Sequence, residues 1–303
     1  MTMALGLVVA VVLVGCGESG GGGSADNSSK TLTLGIAAGW TENVAVSNLT
    51  KVIFEEDLGY KEVEAKTLDL GLVFEGVAGG DLQAFQDVWM PNHQDLMAEV
   101  GDDVEHLPPW YEGQTTFGMA VPTYMTDTKS IADLNGSGAK EIIGIDPGAV
   151  ISQTVPEEVI PAYNLELEYK PTSTAAMLSE AQRLYDDKEP FAFVPWCPST
   201  HCDEEPVNWT VDWRYLEDPK NALGNLDQPA KISSIVNEDL PDDDPVAYAF
   251  LKEFRMNQSE LISLEKEIEK AGDDAIKGSN AWLEDNHDVV QPAIDAAKQA
   301  QES

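Results

Sequence analysis

Alternating apolar and polar positions, separated by stretches of helical spacing, divide the first part of this chain into strands and helices. The pattern predicts strands at residues 31–37 and 62–68 and helices at residues 42–58 and 72–78. A third strand leads to Trp89 and ends before Pro91, whose nitrogen cannot donate a hydrogen bond to a neighbouring strand. This β-α-β-α-β order predicts a mostly parallel sheet with helices on both faces.

A second series of the same kind occupies the middle of the chain. Its strands are predicted at residues 117–122, 141–145, 167–169 and 191–194, and its helices from residue 129, at 150–162 and at 174–187. A strand at residues 231–236 and helices at residues 245–254, 259–271 and 273–300 complete the chain. We therefore expect an α/β fold with residues 31–122 plus 226–303 in lobe 1, including the C-terminal helices, and residues 123–225 in lobe 2. Strand ends, and with them a ligand, are expected in the cleft between the lobes.

Charge narrows the choice of partners for this chain of 303 residues. It contains 18 Lys and Arg residues and 54 Asp and Glu residues, which gives a net charge of −36. Nucleic acid is excluded as a partner, because phosphate binding needs clustered basic side chains. A small cation would be attracted, although salt screens that attraction beyond about 10 Å. The acidic residues are spread along the whole chain, so most of them indicate a solvated surface suited to high salt.

The N-terminus has the pattern of a targeting segment. Residues 4–14 are apolar but too few to span a bilayer, which needs roughly 20 residues. They lead into Gly15 and Cys16, in a run that resembles a bacterial lipobox. We expect residues 1–15 to be a signal peptide and residues 16–30 to be a lipidated Cys16 followed by a flexible Gly/Ser-rich tether. The rest of the chain would then fold outside the cytoplasmic membrane. The alternative is an ordinary signal peptide with an incidental cysteine.

Three tryptophans, Trp40, Trp89 and Trp196, close predicted strands at comparable places. Indole faces around one cavity suit a quaternary ammonium group, whose charge is spread over methyl groups and which carries no hydrogen-bond donor. Each such cation–π contact contributes about 0.5–2 kcal/mol, the upper figure when the cation is desolvated. The alternative is that these rings are ordinary core aromatics. The other tryptophans are predicted in loops or helices as packing residues: Trp110, Trp209, Trp213 and Trp282.

A ligand carboxylate would need hydrogen-bond donors near that cage. Residues 146–151 lie at a predicted strand-to-helix junction, where backbone N–H groups lack partners within the helix. His93 can add a further donor. Charge-assisted hydrogen bonds contribute roughly 1.5–3 kcal/mol each. After the cost of immobilising the ligand, the balance predicts a dissociation constant on the order of micromolar.

Several short motifs, in order along residues 31–265, resemble those of the glycine betaine-binding proteins of ABC transporters. They include Gly39-Trp40-Thr41-Glu42, Asp57-Leu58-Gly59-Tyr60, Asp87-Val88-Trp89-Met90-Pro91-Asn92-His93, Val121-Pro122-Thr123-Tyr124, Ile143-Gly144-Ile145-Asp146-Pro147-Gly148, Ala175-Ala176-Met177 and Tyr215-Leu216-Glu217-Asp218-Pro219-Lys220. The resemblance implies a type II periplasmic-binding-protein fold whose lobes close on the ligand. It also implies a monomeric, cofactor-free and non-enzymatic protein, anchored by lipid outside the cell membrane, that serves an ABC permease and its ATPase.

The resemblance assigns the ligand contacts residue by residue. A tryptophan cage would hold the trimethylammonium group, while backbone amides and a histidine would hold the carboxylate. Carried over by motif, these contacts are Trp40, Trp89 and Trp196 for the cage, the amides of Val150 and Ile151, and the side chain of His93.

The close pair Cys197 and Cys202 allows two interpretations. In an exported protein such a pair most often forms a disulfide bond, which here would stiffen the loop that carries Trp196. The alternative is a metal site formed with His201 and Asp203, which would make the chain an extracellular metal-dependent hydrolase. No Gly-x-Ser-x-Gly, His-Glu-x-x-His or P-loop motif occurs. A ligand sensor for a signalling partner would use the same pocket as a transport protein.

Overall fold

The computed structural model describes residues 26–203, 206 and 208–302. Within these residues the strands, numbered in chain order, are β1 Thr31–Ala37, β2 Glu62–Leu68, β3 Ala84–Met90, β4 Val104–His106, β5 Tyr111–Glu112, β6 Thr116–Phe117, β7 Ala120–Pro122, β8 Glu141–Ile143, β9 Glu168–Lys170, β10 Ala192–Phe193, β11 Trp196–Cys197, β12 Trp213–Tyr215, β13 Lys231–Asn237 and β14 Met256–Asn257. The predicted signal peptide and Cys16 lie outside the described residues.

Helices fill the connections between these strands and form the C-terminal part of the chain. They are α1 Thr41–Glu56, α2 Leu70–Ala78, α3 Gln94–Val100, α4 Val150–Thr154, α5 Ile160–Tyr163, α6 Thr174–Asp186, α7 Leu240–Asp243, α8 Pro245–Glu253, α9 Gln258–Lys270 and α10 Ala275–Gln301. A π-helical turn at Val155–Val159, which contains Pro156, joins α4 to α5. None of the helices in the described part of the chain is both long enough and apolar enough to cross a membrane.

One five-stranded sheet, in the order β2-β1-β3-β13-β4, forms the centre of lobe 1. Strand β1 runs parallel to both β2 and β3, as the alternating pattern predicts. Strand β13 is antiparallel to β3 and to β4. The prediction of a mostly parallel sheet is therefore right for the first three strands only. The chain returns to this sheet from lobe 2, so β13 can join β3 without the crossover helix that a parallel neighbour needs.

A second five-stranded sheet, in the order β12-β7-β10-β8-β9, forms the centre of lobe 2. Strand β8 is parallel to β9 and β10, whereas β7 is antiparallel to β10 and β12. The single strand predicted at residues 117–122 is divided at Gly118 into β6 and β7. The division has a physical cause, because β6 pairs with β11 in a separate two-stranded sheet that lies beside the cleft.

Four further local predictions need correction. The helix expected from residue 129 is a 3-10 helix, Ile131–Gly136, which begins at a capping box formed by Ser130 and Asp133. Helix α3 was not predicted. Trp213 lies in strand β12 rather than in a loop or helix. The last helix begins at Ala275 and has a kink at Asn286.

Packing places the start of α1 and the end of β3 at the cleft. Every residue of β3 except Met90 is buried. Helix α1 follows β1 directly, with Trp40 as its N-cap residue. On the far side of lobe 1, helix α10 packs against α1, α8 and α9. The core of lobe 1 therefore holds both strand-end tryptophans in fixed positions at the edge of the sheet.

Candidate ligand-binding site

The three tryptophans that close predicted strands line one cavity between the two sheets. About 380 Å³ of space at this site holds no protein atoms, and this space includes part that is open to solvent. Its lining residues are Trp40, Glu42, Trp89, Asn92, His93, Phe117, Ile145, Ala149, Val150, Trp196 and Leu226. Phe117, which sequence reasoning missed, is a fourth aromatic wall, and its ring centroid lies 6.5 Å from that of Trp89.

Each tryptophan reaches the cavity from the end of a different strand. Trp40 follows β1, Trp89 is the penultimate residue of β3, and Trp196 opens β11 just after β10 of lobe 2. The exposed fractions of these side chains are 7%, 4% and 4%, respectively. The rings are thus shielded from bulk solvent while their residues line a cavity, an arrangement that strengthens a cation–π contact.

Every one of these indole N–H groups donates a hydrogen bond to a carboxylate. The bonds are Trp40 Nε1 to Asp146 Oδ2 (2.9 Å), Trp89 Nε1 to Asp87 Oδ1 (2.7 Å) and Trp196 Nε1 to Glu42 Oε2 (2.9 Å). These hydrogen bonds fix the side-chain torsion angles of the three tryptophans and therefore the orientation of their rings. Sequence reasoning missed this role, although an acidic residue stands two positions from both Trp40 and Trp89.

Burial governs the protonation of the acidic groups around the cage. It raises the pKa of Glu42 to about 7, and the pKa values of Asp87 and Glu265 well above their usual range. The negative charge of Glu42 raises the pKa of both neighbours further. The pKa of Asp146 is also raised, mainly by burial. None of the described residues that line the cavity is Lys or Arg, so no cationic side chain among them would repel a ligand with positive charge.

His93 is held by a backbone hydrogen bond at the end of β3. Its Nδ1 accepts the backbone N–H of Trp89 at 3.2 Å. Burial lowers the pKa of this imidazole to about 3, so the ring is neutral at pH 7. Since Nδ1 is an acceptor, the ring hydrogen is on Nε2, which makes His93 a hydrogen-bond donor at the cavity wall.

The start of α4 lies on the lobe 2 side of the same cavity. Ala149 is its N-cap residue and makes no side-chain capping bond. Within the described residues, the N–H groups of Val150 and Ile151 have no backbone acceptor, as expected for the first turn of a helix. Val150 lines the cavity, whereas the side chain of Ile151 is fully buried in lobe 2. The role of the two amides stays a prediction.

The loop that follows Trp196 is closed by a disulfide bond between Cys197 and Cys202. It also contacts lobe 1, because Ser199 Oγ lies 3.2 Å from Thr41 Oγ1 and the backbone N–H of Thr200 donates to Glu265 at 2.8 Å. In the part of the chain that the structure describes, no three His, Cys, Asp or Glu residues are grouped to hold a metal ion. The loop braces Trp196 and gives no support to the hydrolase alternative.

Comparison with known proteins agrees with this geometry. Residues 30–285 match the family model OpuAC, described as the substrate binding domain of the ABC-type glycine betaine transport system. The chain belongs to this family. Members of the OpuAC family are extracytoplasmic transport proteins rather than enzymes. The expected resemblance and the type II two-lobe fold are therefore confirmed.

Individual relatives place the chain within the OpuAC family. It is 30% identical over 163 residues to the glycine betaine/carnitine transport binding protein GbuC of Listeria monocytogenes serotype 1/2a (strain 10403S). The aligned residues cover 52% of this chain and 50% of the relative. The chain thus spans about half the length of this curated relative.

Two solved structures share the fold over almost their whole length. The crystal structure of lactococcal OpuAC, closed and complexed with glycine betaine, has a TM-score of 0.75 and 25% identity, covering 88% of this chain and 99% of that one. The glycine betaine, L-proline-binding protein ProX from Borrelia burgdorferi has a TM-score of 0.78 and 23% identity, covering 90% of this chain and 100% of that one.

Proposed function

We propose that this chain is the extracytoplasmic solute-binding protein of an ABC importer and that it captures glycine betaine or a related quaternary ammonium osmolyte. The observation that carries the proposal is the meeting of three strand-end indoles, from both lobes, around one cavity. The family match over residues 30–285 and the 25% identity to a protein crystallised with glycine betaine support the ligand class.

The cage of Trp40, Trp89 and Trp196 receives the trimethylammonium group. Desolvated cation–π contacts contribute about 2 kcal/mol each, and a quaternary ammonium needs no hydrogen-bond acceptor when it loses water. Glu42, whose pKa of about 7 leaves it partly ionised at neutral pH, adds electrostatic attraction in a region of low dielectric constant.

The carboxylate of the ligand lies against the donors of both lobes. The Nε2–H of His93 reaches it from lobe 1, and the amides of Val150 and Ile151 reach it from lobe 2. The absence of backbone acceptors for these amides among the described residues supports this assignment. Hydrogen bonds to a charged group contribute roughly 1.5–3 kcal/mol each, so the dissociation constant for glycine betaine is on the order of micromolar.

Ligand bridges the lobes and shifts the population toward the closed form. We assign residues 31–122 plus 226–303 to lobe 1 and residues 123–225 to lobe 2. All strands of the first sheet fall in the range of lobe 1, whereas β7, at Ala120–Pro122, pairs in the second sheet and so lies on the lobe 2 side of that boundary. The closed protein then docks on the permease, whose ATPase drives release and import. Hydrogen bonds between the lobes, such as that from Trp40 to Asp146, support a closed arrangement for this structure.

A lipid on Cys16 anchors the protein to the cell membrane, and the tether of residues 17–25 lets it reach the permease. Residues 16–25 lie outside the described residues, and the lipobox-like sequence supports the anchor. Residues 26–30 do not belong to a flexible tether, because Asn27–Ser29 form a 3-10 helix and the side chain of Asn27 donates a hydrogen bond to the backbone of Leu58. Replacement by Cys16→Ser is expected to move the protein from the membrane fraction to the soluble fraction. Continued fractionation with membranes would argue against the anchor.

Isothermal titration calorimetry with glycine betaine tests the proposed function. Wild-type protein is expected to bind with micromolar affinity, and Trp89→Ala is expected to bind roughly 100-fold more weakly. Trp282→Phe is the matched control, because Trp282 is fully buried in α10 and is not among the cavity-lining residues. Absence of heat from wild-type protein with glycine betaine, proline betaine, carnitine and choline would refute the proposal.

A further inference from the structure

Two hydrogen bonds join the lobes inside the cavity wall, and each connects an indole of one lobe to a carboxylate of the other. Trp40 of lobe 1 donates to Asp146 of lobe 2 at 2.9 Å. Trp196 of lobe 2 donates to Glu42 of lobe 1, also at 2.9 Å. Each lobe therefore supplies one ring and one carboxylate, and the exchange is reciprocal.

The four partners come from two compact segments. Trp40 is the N-cap of α1 and Glu42 is in the first turn of the same helix. Asp146 follows β8 and Trp196 follows β10, and these two strands are parallel neighbours in the second sheet. One helix start thus faces one pair of strand ends, so both bonds form or break together as the lobes move.

Closure buries both carboxylates almost completely. Glu42 is 1% exposed and Asp146 is 7% exposed. Oδ1 of Asp146 is buried and has no hydrogen-bond partner among the described residues. Burial raises the pKa of both groups, and the charge of Glu42 in turn raises the pKa of Asp87 and Glu265. Such burial is costly unless a positive charge is close by.

We propose that Glu42 and Asp146 are positioning residues that form a reciprocal latch between the lobes, and that their charge makes closure depend on a cation in the cage. The inference rests on the proposed function, because it requires a cationic ligand and lobes that move. In the empty protein, opening returns both carboxylates to water. A quaternary ammonium in the cage offsets their burial, and the closed latch then holds Trp40 and Trp196 in place around it.

The third indole–carboxylate pair does not join the two lobes and therefore serves as a comparison. Trp89 donates to Asp87 at 2.7 Å, but both residues belong to β3. That bond forms when lobe 1 folds and is independent of closure. The latch is therefore a property of the two crossing pairs and does not follow from indole–carboxylate bonding in general.

Single-molecule fluorescence energy transfer between the lobes tests the latch. Dyes are attached at two exposed positions, Glu284→Cys in α10 and Lys140→Cys before β8, in a Cys16→Ser background. The variants are Glu42→Gln and Asp146→Asn, which remove the charge but keep an oxygen that can accept the indole N–H. Asp218→Asn is the matched control, because Asp218 accepts a hydrogen bond from Tyr163 within lobe 2.

The closed fraction without ligand is the decisive readout. We expect each latch variant to raise it about fivefold or more over wild type, while Asp218→Asn leaves it unchanged. Latch variants as open as wild type when empty, or an equal rise in the control, would overturn the latch. If wild type binds and closes on glycine betaine in the same experiment, only the latch fails. If wild type neither binds nor closes, the proposed function fails first.

Discussion

Lobe 1 presents long strands to the cavity, whereas the strands of lobe 2 are two or three residues long. Strands β1, β2, β3 and β13 each have seven residues. Two hydrogen bonds that position Trp89 and His93 lie wholly within lobe 1, since the indole of Trp89 donates to Asp87 and the backbone N–H of Trp89 donates to His93. Trp40 differs, because its indole donates to Asp146 of lobe 2. The contribution of lobe 2 is instead tied to lobe 1 through crossing bonds. We conclude that lobe 1 is a preformed capture surface and that lobe 2 completes the site on closure.

The largest expected effect is a loss of ligand affinity that differs between the cage tryptophans of the two lobes. Trp89→Ala removes the ring that lobe 1 holds ready, and we expect a loss of about 3 kcal/mol, or roughly 100-fold in affinity for glycine betaine. Trp196→Ala removes a ring that arrives only on closure, so we expect about a tenfold loss. Titration calorimetry measures both. A greater loss for Trp196→Ala than for Trp89→Ala would contradict the assignment of capture to lobe 1.

Removing the donor of lobe 1 distinguishes ligands with and without a carboxylate. We expect His93→Ala to weaken glycine betaine binding about tenfold, because one hydrogen bond to a charged group is lost. Choline carries the same cation but no carboxylate, so its affinity is expected to stay within about twofold. Calorimetry with both ligands measures the ratio, and equal losses would mean that His93 supports the cage rather than the carboxylate.

Acidification is expected to close the empty protein, because it neutralises Glu42 in the latch. Burial in the closed form raises the pKa of Glu42 to about 7, so protonation favours the closed form below that pH, and this contribution is lost as the pH rises through it. In the open form the carboxylate is in water, so we expect the closed fraction without ligand to rise as the pH drops from 8 to 6, by at most about tenfold per unit. Fluorescence energy transfer between the dyes at positions 140 and 284 measures that fraction, and a closed fraction independent of pH would contradict this role of Glu42.

Glu42→Gln provides the control for that pH dependence. The variant is expected to show a much flatter profile, with the remaining slope due to Asp87, Asp146 and Glu265, whose pKa values are also raised. An unchanged slope in Glu42→Gln would assign the titration to those groups and remove Glu42 from the account.

The smallest expected effect concerns the brace on lobe 2. Paired Cys197→Ser and Cys202→Ser substitutions free the loop that carries Trp196, and we expect affinity for glycine betaine to fall about threefold through extra loop entropy. Cys16→Ser alone is the control and is expected to leave affinity unchanged. A loss as large as that of Trp196→Ala would show that the disulfide determines the position of the ring.

The difference between the lobes also explains what the sequence could predict. Strands and helices of lobe 1 follow the periodic pattern closely, because long strands with one continuous core have regular burial. In lobe 2 the strands are too short for alternation to be read, so residues 117–122 were predicted as one strand and Trp213 was placed outside the sheet. Local pattern contains little information about such short pairings.

The cage tryptophans could be found because each follows a predicted strand. Their partners could not, because the contacts from Trp40 to Asp146 and from Trp196 to Glu42 join residues 106 and 154 positions apart. Phe117 was missed for the same reason, since its strand belongs to a two-stranded sheet formed with the distant β11. The only local indication of indole–carboxylate bonding in the sequence is the acidic residue two positions from Trp40 and from Trp89.

The central claim is that indoles from both lobes enclose a methylated cation, and one calorimetric comparison tests it most directly. Wild-type protein is titrated with glycine betaine and with 3,3-dimethylbutanoate, which has the same shape and carboxylate but a carbon in place of the charged nitrogen. We predict micromolar binding of glycine betaine and binding at least about tenfold weaker for the isostere that lacks the positive charge, because the cation–π contribution is lost. Equal affinity for the two compounds would contradict the claim.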